Sequence, residues 1–334
     1  MDGNPSVKTD CVWLPDASQK NAGNTWCINE YFCEIWRKIL RQDVRLRLNQ
    51  WLHNKGCLLL KTVIEPNGKS VQYWKDLWRY RELALNFAKR DVTVRYKQTF
   101  IGFGWSIINP ILNMLIMTFV FGNLAGFSDT ASAPYQVIVY AGLIPWTLFA
   151  RSFSLASGTF VQNAELMKKV YVPRLVSPLG SSLTSLIDTA ISFGVLFLLM
   201  LLYHYTPSIR ILLTPFMLIP MMFLGMFLGL FVSVFTIKYR DLIQIVPLMV
   251  QIGQYATPVA YSMNDIQSKV SEKASFIFLI NPATGFVSAF KWCVIKTEVF
   301  DWRSFLVSIA WLIVFAPIAT KLFQKAERTF VDLV

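Results

Sequence analysis

The residue of this sequence that is the best candidate for a chemical role is Asp188, a single acid inside a long apolar segment. An ionisable group at membrane depth is costly and usually functional, so Asp188 is a candidate proton carrier. The alternative is a hydrogen-bonded packing contact among the small polar residues nearby, which are Ser182, Thr184, Ser185, Thr189 and Ser192. Arg151 lies near the inner end of the preceding apolar segment, and we expect its side chain to snorkel towards water.

No other pattern in the sequence builds a reactive site. Asn67-Gly68-Lys69-Ser70 resembles the end of a phosphate-binding loop, but that motif requires a Gly where residue 63 is Val. HExxH, DxD and GxSxG motifs are absent, and the two histidines, His53 and His204, are far apart. The cysteines lack paired CxxC spacing. We therefore expect no catalytic residue, no metal ion and no cofactor in this chain.

Uncharged segments long enough to cross a bilayer recur between Lys97 and Lys321, and hydrophobic residues make up 54% of the 334 residues. A bilayer core of roughly 30 Å requires about 20 helical residues. The sequence therefore predicts an all-α membrane protein with six transmembrane helices. The predicted spans are approximately 103–126, 136–158, 176–203, 211–237, 242–261 and 304–321.

The segment 274–290, between the fifth and sixth spans, is uncharged but short for a crossing, and Asn281-Pro282 interrupts it. Irregular backbone is tolerated at membrane depth only where protein or a water-filled cavity surrounds it. We therefore predict a re-entrant outer hairpin within the outer segment 262–302. A shorter seventh span is the alternative.

Lysine and arginine predict the orientation of the spans. Basic loops follow the second and fourth spans, whereas the loops after the first and third are poor in basic residues. Basic loops face the cytosol, so we expect both termini to be cytoplasmic. The net charge of +12 then reflects topology, and we do not expect nucleic acid as a partner.

The chain divides by composition into three regions. Residues 1–62 form a predicted cytosolic extension that is partly an amphipathic helix, 63–101 contain a second amphipathic helix, and 102–334 form the transmembrane domain. The second helix places Leu83 and Phe87 on its apolar side, where Asp91 interrupts the pattern. We expect it to lie in the headgroup layer as an N-terminal interface helix, with a solvated linker helix as the alternative.

Two further patterns concern packing and aromatic residues. The pairs Gly122/Gly126 and Gly225/Gly229 have GxxxG spacing, and we expect one pair to lie at a helix contact. Aromatic residues near the predicted membrane faces form interfacial belts or line a path for sugar rings. The candidate path residues are Phe103, Trp105, Tyr135, Tyr140, Trp146, Tyr255 and Tyr261.

Three stretches together carry a resemblance to a known family. The first contains Lys89–Thr99 (KRDVTVRYKQT) and Asn109-Pro110, the second Tyr140–Trp146 (YAGLIPW), and the third Asn163–Pro178 (NAELMKKVYVPRLVSP). The combination resembles the membrane subunit of ABC exporters for lipid-linked polysaccharides, the O-antigen and teichoic acid export class of the ABC type-2 transporters. The resemblance covers about residues 63–334, and residues 1–60 lie outside it.

The resemblance implies a permease subunit of an ATP-driven exporter that moves undecaprenyl-diphosphate-linked polysaccharide, such as O-antigen, across the bacterial inner membrane. Its implied partners are a second copy of the chain, with a channel between spans one and five of the two copies, and two ATPase subunits that bind ATP and Mg. The alternatives are a membrane-embedded glycosyltransferase or ligase of lipid-linked sugars and a cation-coupled secondary transporter that uses Asp188.

The resemblance also assigns roles to individual segments. It implies an ATPase-coupling helix at 163–174, an interface helix that guides the lipid diphosphate, and an outer gate at 274–290. The coupling residues would be Leu166, Met167, Lys168, Lys169, Val170, Tyr171 and Arg174, with a solvated loop as the alternative. Arg90, Arg95 and Lys97 are the candidate contacts to the diphosphate.

Overall fold

The structure is a computed structural model that describes residues 80–97, 104–128, 133–162, 175–262, 276 and 278–333. All of these residues belong to one compact unit, Asn67–Val334. Regular structure within them is helical. The elements are α1 (Arg81–Lys97), α2 (Gly104–Met117) with a π-helical continuation (Thr118–Leu124), α3 (Tyr135–Ser157), α4 (Thr159–Gln162), α5 (Val176–Leu202), a 3-10 helix (Ile209–Leu213), α6 (Thr214–Thr236), α7 (Leu242–Tyr255), α8 (Thr284–Val294) and α9 (Trp302–Leu333).

Five helical segments are long and apolar enough to cross a membrane. They are Gly104–Leu124, Tyr135–Ser157, Val176–Leu202, Ile209–Thr236 and Trp302–Ala326. These correspond to the predicted spans one, two, three, four and six. The predicted fifth span, 242–261, is helical only in α7, whose 14 residues rise about 21 Å. Beyond Tyr255 the chain forms an irregular bend, residues 256–262, which we call the bend.

The bundle is organised around α3. Its most apolar 18-residue stretch is 78% buried within the protein, whereas the corresponding stretch of α9 is only 17% buried. Tyr140, Leu143 and Leu148 on α3 are almost completely enclosed. Helices α5, α6 and α8 pack directly on α3. A helix buried on all sides cannot show a polar face, which is why its apolar residues follow no amphipathic period.

The packing of α6 on α3 depends on glycine. A Cβ added at Gly225 would lie 2.6 Å from the carbonyl oxygen of Phe149, and one at Gly229 would collide with that of Phe153. Both distances are too short for any other residue, so the two backbones approach as closely as they do because these positions lack side chains. The prediction that one GxxxG pair lies at a helix contact is confirmed for Gly225/Gly229.

Helix α1 packs on the first half of α5. Ala84 is buried there, and a Cβ at Gly180 of α5 would lie 2.8 Å from its carbonyl oxygen. Asp91, the acid that interrupts the apolar pattern of α1, accepts a hydrogen bond of 3.2 Å from Ser181 and pairs with Arg90 at 2.9 Å. The acid therefore lies at a helix contact, and its position is consistent with the packing of α1.

An ion pair whose carboxylate is buried connects three helices. Arg151 of α3 donates to Asp188 of α5, and Ser106 of α2 donates to the same carboxylate at 3.3 Å. The expectation that Arg151 snorkels is wrong, because a carboxylate on the neighbouring helix lies within its reach. Asp188 is 5% exposed, and its contacts fit the packing interpretation. The carboxylate of Asp188 is stabilised at this depth because its partner, Arg151, carries the opposite charge.

Removing one partner of this pair is expected to destabilise the protein more than removing both. Arg151→Gln removes a cation from a buried carboxylate, and the loss of one partner from a buried pair costs about 3–5 kcal/mol. Arg151→Gln combined with Asp188→Asn replaces both charges by amides of similar size. Thermal unfolding of the purified chain in detergent, analysed as a double-mutant cycle, measures the coupling.

The more exposed pair of Arg90 and Asp91 provides the control for this cycle. Their side chains are 47% and 27% exposed, and surface pairs contribute about 0–1 kcal/mol. The corresponding cycle of Arg90→Gln and Asp91→Asn should therefore show little coupling. Additive effects of Arg151→Gln and Asp188→Asn would contradict a coupled pair.

Candidate functional site

The bend after α7 is buried although its backbone is irregular. Thr257 and Val259 are 0% and 1% exposed, and Tyr261 is 8% exposed. The carbonyl groups of an irregular segment have no helical N–H partners. At membrane depth they must find donors within the protein, because lipid supplies none.

Side chains from three other parts of the chain, and one from the bend itself, supply these donors. Each of five carbonyl oxygens in and next to the bend accepts a side-chain hydrogen bond. The pairs are Tyr261 OH to Tyr255 at 2.8 Å, Asn281 Nδ2 to Ala256 at 3.0 Å, Lys291 Nζ to Pro258 at 2.7 Å, Tyr135 OH to Ala260 at 2.7 Å, and Lys291 Nζ to Tyr261 at 2.9 Å. The bend is thus anchored to α3, to Asn281 and to α8.

The predicted re-entrant hairpin contains one of these anchors. Asn281 accepts a hydrogen bond from the backbone N–H of Ala283 at 3.0 Å, and α8 begins directly afterwards at Thr284. The break that the sequence shows at Asn281-Pro282 therefore precedes a helix. With 11 residues, or about 16 Å, α8 is too short to cross a bilayer alone. Residues 263–275 lie outside the described residues.

The position of Lys291 was missed by sequence reasoning. Its charge placed it among the polar residues of the outer segment, whereas its side chain in α8 is 2% exposed. One signal was available, because Lys291 stands within an apolar run, Phe286 to Ile295. An apolar run of this length indicates a buried helix, and a lysine within such a helix is buried with it.

Two of the candidate path aromatics meet at the bend, and the hydroxyl of Tyr135 reaches its carbonyl. Tyr261 packs against Phe121 and Phe127, with ring centroids 5.8 and 5.9 Å apart, and Phe121 lies 6.4 Å from Tyr255. Tyr255 is 48% exposed. An exposed ring beside a fixed aromatic cluster offers a stacking surface for a sugar.

The remaining candidate aromatics lie elsewhere. Tyr140 and Trp146 of α3 are 0% and 3% exposed, so in this conformation they belong to the core. Trp146 fills the space beside Gly253 of α7, where an added Cβ would lie 2.8 Å from the ring. Trp105, at the start of α2, is 48% exposed. Phe103 lies outside the described residues.

Exposed carboxamides form a second feature that sequence reasoning missed. Asn109 on α2 and Gln244 and Gln251 on α7 are exposed on otherwise apolar helices; we call these three residues the carboxamide face. Gln244, Gln251 and Tyr255 share one side of α7 by helical spacing. Where the two helices meet, Gln254 donates to Asn113 at 3.3 Å. An amide facing lipid lacks partners, so this face is suited to contact water, another protein or a polar ligand.

The candidate diphosphate and coupling residues are only partly described. Arg90 is exposed on α1, where it pairs with Asp91 and lies 5.1 Å from the ring of Phe87. Arg95 and Lys97 belong to the last turns of α1, and their side chains are not described. All seven coupling residues fall in 163–174, outside the described residues. Among those described, groups of three or more His, Cys, Asp or Glu that could hold a metal ion are absent.

The two ends of the undescribed segment 163–174 are both anchored in the bundle. Phe160 of α4 is completely buried and packs on Phe323 of α9, with ring centroids 4.6 Å apart. Leu175, at the other end, is 2% exposed and belongs to the same apolar cluster, together with Met226 and Leu230 of α6. A displacement of the segment 163–174 would therefore be transmitted to α3, α5, α6 and α9 through the contacts at its two ends.

Comparison with known proteins places these features in a family. Residues 84–294 match the family described as ABC-2 type transporter, so the match includes the carboxamide face, the bend and Lys291. The O-antigen export system permease protein RfbA of Myxococcus xanthus is 23% identical over 264 residues, which are 79% of this chain and 100% of that protein. A protein of the same name from Klebsiella pneumoniae is 25% identical over 255 residues, 76% of this chain and 95% of its own length.

These matches confirm the resemblance seen in the sequence. Several long apolar helices and a transporter family together fit a multi-pass bacterial membrane protein. The family match covers more than half of the residues, and both relatives align over almost their entire length. The chain belongs to the ABC-2 type transporter family.

Proposed function

We propose that this chain is the permease subunit of an ATP-driven exporter that moves undecaprenyl-diphosphate-linked polysaccharide, such as O-antigen, across the bacterial inner membrane. The observation that carries the proposal is the alignment with O-antigen export permeases over 95–100% of their length. The chain is then a transport component. ATP and Mg bind to a separate ATPase, of which two copies act with two copies of this chain.

The proposed topology has six crossings with both termini in the cytoplasm. Five crossings correspond to the long apolar helices, and the fifth in order consists of α7 and the bend. Irregular backbone is permitted at that depth because side chains satisfy its carbonyl groups. Segment 274–290 then re-enters from the outer side and returns, with Asn281 and α8 supporting the bend.

The proposed path for the glycan lies between two copies of the chain, along α2 and α7. These helices carry the carboxamide face, and Gln254 and Asn113 connect them. Amide groups donate and accept hydrogen bonds with sugar hydroxyls, and Tyr255 offers a ring for stacking. A second copy would also cover apolar residues of α2 and α7, such as Leu112 and Leu248, which are 50% and 54% exposed.

The proposed coupling element is the segment 163–174. Leu166, Met167, Val170 and Tyr171 would form its apolar contact with the ATPase, and Lys168, Lys169 and Arg174 would meet acidic residues at the rim. Support comes from the anchoring of its ends by Phe160 and Leu175. Closure of the ATPase would move this segment, and through those anchors the spans.

The proposed entry for the lipid carrier is at α1. The helix is fixed to α5 through Ala84 and Gly180, with Arg90 on its exposed side. Arg90 and Lys97 are seven residues apart and share one side of α1 by helical spacing, and Arg95 lies between them near the end that leads into the first span. A diphosphate at the headgroup level would contact these cations before the glycan enters the path.

Depletion of the chain in the cells that express it tests the proposed function. We expect lipid-linked glycan to accumulate on the cytoplasmic side of the inner membrane and surface glycan to disappear. Radiolabelled glycan in spheroplasts, measured with and without an added glycosidase, distinguishes the two sides. Transfer of sugar by the purified chain without an ATPase would instead favour the glycosyltransferase class.

Substitutions in the segment 163–174 test coupling. Val170→Asp with Tyr171→Asp places two carboxylates in the proposed apolar contact. Disrupting a central interface residue costs about 2 kcal/mol or more, so binding of the ATPase should weaken at least about tenfold. Co-purification with the ATPase and surface glycan are the measurements. Val299→Asp, at an exposed residue of the predicted outer segment, is the control. Normal export by the double variant would contradict the coupling role.

Substitution of Gln251 tests the path. If Gln251 faces lipid, Gln251→Leu should stabilise the protein and leave export unchanged. If it lines the path, export should fall about two- to tenfold, because a net hydrogen bond contributes about 0.5–1.5 kcal/mol. Ile252→Leu, at the next residue of α7 and 60% exposed, is the matched control. Initial export rates and thermal stability, measured together, separate the two outcomes. Equal export by both variants would exclude Gln251 from the path.

A further inference from the structure

Lys291 is a buried cation that the proposed transport mechanism does not yet use. It lies in the last turn of α8 with 2% of its surface exposed. Its Nζ donates to the carbonyl oxygens of Pro258 at 2.7 Å and of Tyr261 at 2.9 Å. An ammonium in a buried site is costly unless it is well bonded, and two carbonyl dipoles of the bend face it here.

The stem of Lys291 is held as tightly as its ammonium group. A Cβ added at Gly142 of α3 would lie 2.8 Å from Lys291 Cε and would collide with the carbonyl oxygen of Val259. The lysine stem and the bend therefore both press against bare backbone of α3. In such a site a small displacement of the lysine would displace the bend as well.

The bend in turn fixes the exposed end of α7. The hydroxyl of Tyr261 donates to the carbonyl oxygen of Tyr255 at 2.8 Å, and Tyr255 shares one side of α7 with Gln251. Lys291 bonds two separate carbonyl groups of the bend, three positions apart, and Tyr135 and Asn281 bond two others, those of Ala260 and Ala256. Without Lys291, two carbonyl oxygens of the bend would lose a charged donor.

We propose that Lys291 is a positioning residue: its ammonium holds the bend against α3 and so keeps the outer end of the glycan path closed in the resting permease. The part of this proposal that concerns the path depends on the proposed function. The part that concerns the bend does not. Opening of the outer end would then require the bend to leave the lysine, or to move together with α8.

Accessibility of the bend tests the part of the proposal that concerns the bend. Val259→Cys, at a position 1% exposed, is the reporter in a chain whose native cysteines are replaced by alanine. Ser233→Cys, on α6 and 0% exposed, is the reporter for the fold of the bundle. The rate of labelling by a membrane-impermeant maleimide is measured on the purified chain in nanodiscs.

Three variants separate the charge of Lys291 from its volume. Lys291→Met keeps an apolar stem of similar length but no donor, and should raise labelling at Val259→Cys about tenfold or more, since each charged hydrogen bond is worth that much. Lys291→Gln keeps N–H donors and should protect the reporter partly. Lys296→Met is the control, because Lys296 is exposed and its Nζ donates to Thr206 at 2.7 Å outside the bend. It should change nothing.

Two results would overturn the positioning role. Full protection of Val259→Cys in Lys291→Met would show that stem volume alone holds the bend. Increased labelling of Ser233→Cys in the same variant would show that Lys291 supports the whole bundle.

A leak assay tests closure of the path. In this assay the chain is reconstituted into proteoliposomes as a pair of copies, without ATPase. Vesicles that carry the Lys291→Met variant should release a small trapped dye several-fold faster than vesicles that carry Lys296→Met. An equal leak rate would overturn the role in closure. Failure of the proposed function would be seen separately, as normal surface glycan after depletion, and would leave the labelling result unchanged.

Discussion

A backbone polar group inside a membrane must be satisfied by the protein itself, and the structure around α7 follows from this constraint. A helix satisfies the requirement internally, but α7 has only 14 residues, fewer than the about 20 that a bilayer core requires. In the bend, a series of carbonyl groups then lacks helical N–H partners. These carbonyl groups accept hydrogen bonds from the hydroxyl of Tyr135, the amide of Asn281 and the ammonium of Lys291. The hydroxyl of Tyr261 donates to the carbonyl oxygen of Tyr255, at the end of α7. The positions of these four side chains, of which Tyr135, Tyr261 and Lys291 are buried, therefore have one common cause.

The same constraint explains how the charges and amides of the spans are distributed. Arg151 and Asp188 are tolerated because they neutralise each other and because Ser106 also donates to the carboxylate. The carboxamide face is the contrasting case, because Gln244 and Gln251 point away from the core. Groups that are satisfied inside the protein stabilise the fold. Groups left on the surface indicate where water, a second copy or a polar substrate is needed, and this supports placing the path along α2 and α7.

The sequence predicted the helices better than their contacts. Long uncharged runs of apolar residues fix the ends of the spans, and the Gly225/Gly229 pair indicates close packing because only glycine permits it. The predicted fifth span is helical only as far as Tyr255, since the composition of 256–261 remains apolar while Pro258 and the turns around it end the helix. Arg151 was misjudged for another reason: its partner stands 37 positions away in the chain, a separation that no local period reveals.

What the sequence alone determined is therefore the class of the protein: a helical membrane protein of the ABC-2 type transporter family, because length, apolarity and motif spacing are properties of local sequence. The tertiary structure decided which polar residues are internal anchors and which face outward. Lys291 and Gln251 are both polar residues in apolar surroundings, so an apolar neighbourhood in the sequence does not decide which of the two is buried. Only the packing of α3, α7 and α8 places the lysine against the carbonyl groups of the bend and leaves the glutamine exposed. Burial is a property of the assembled helices, and it emerges from contacts between distant segments.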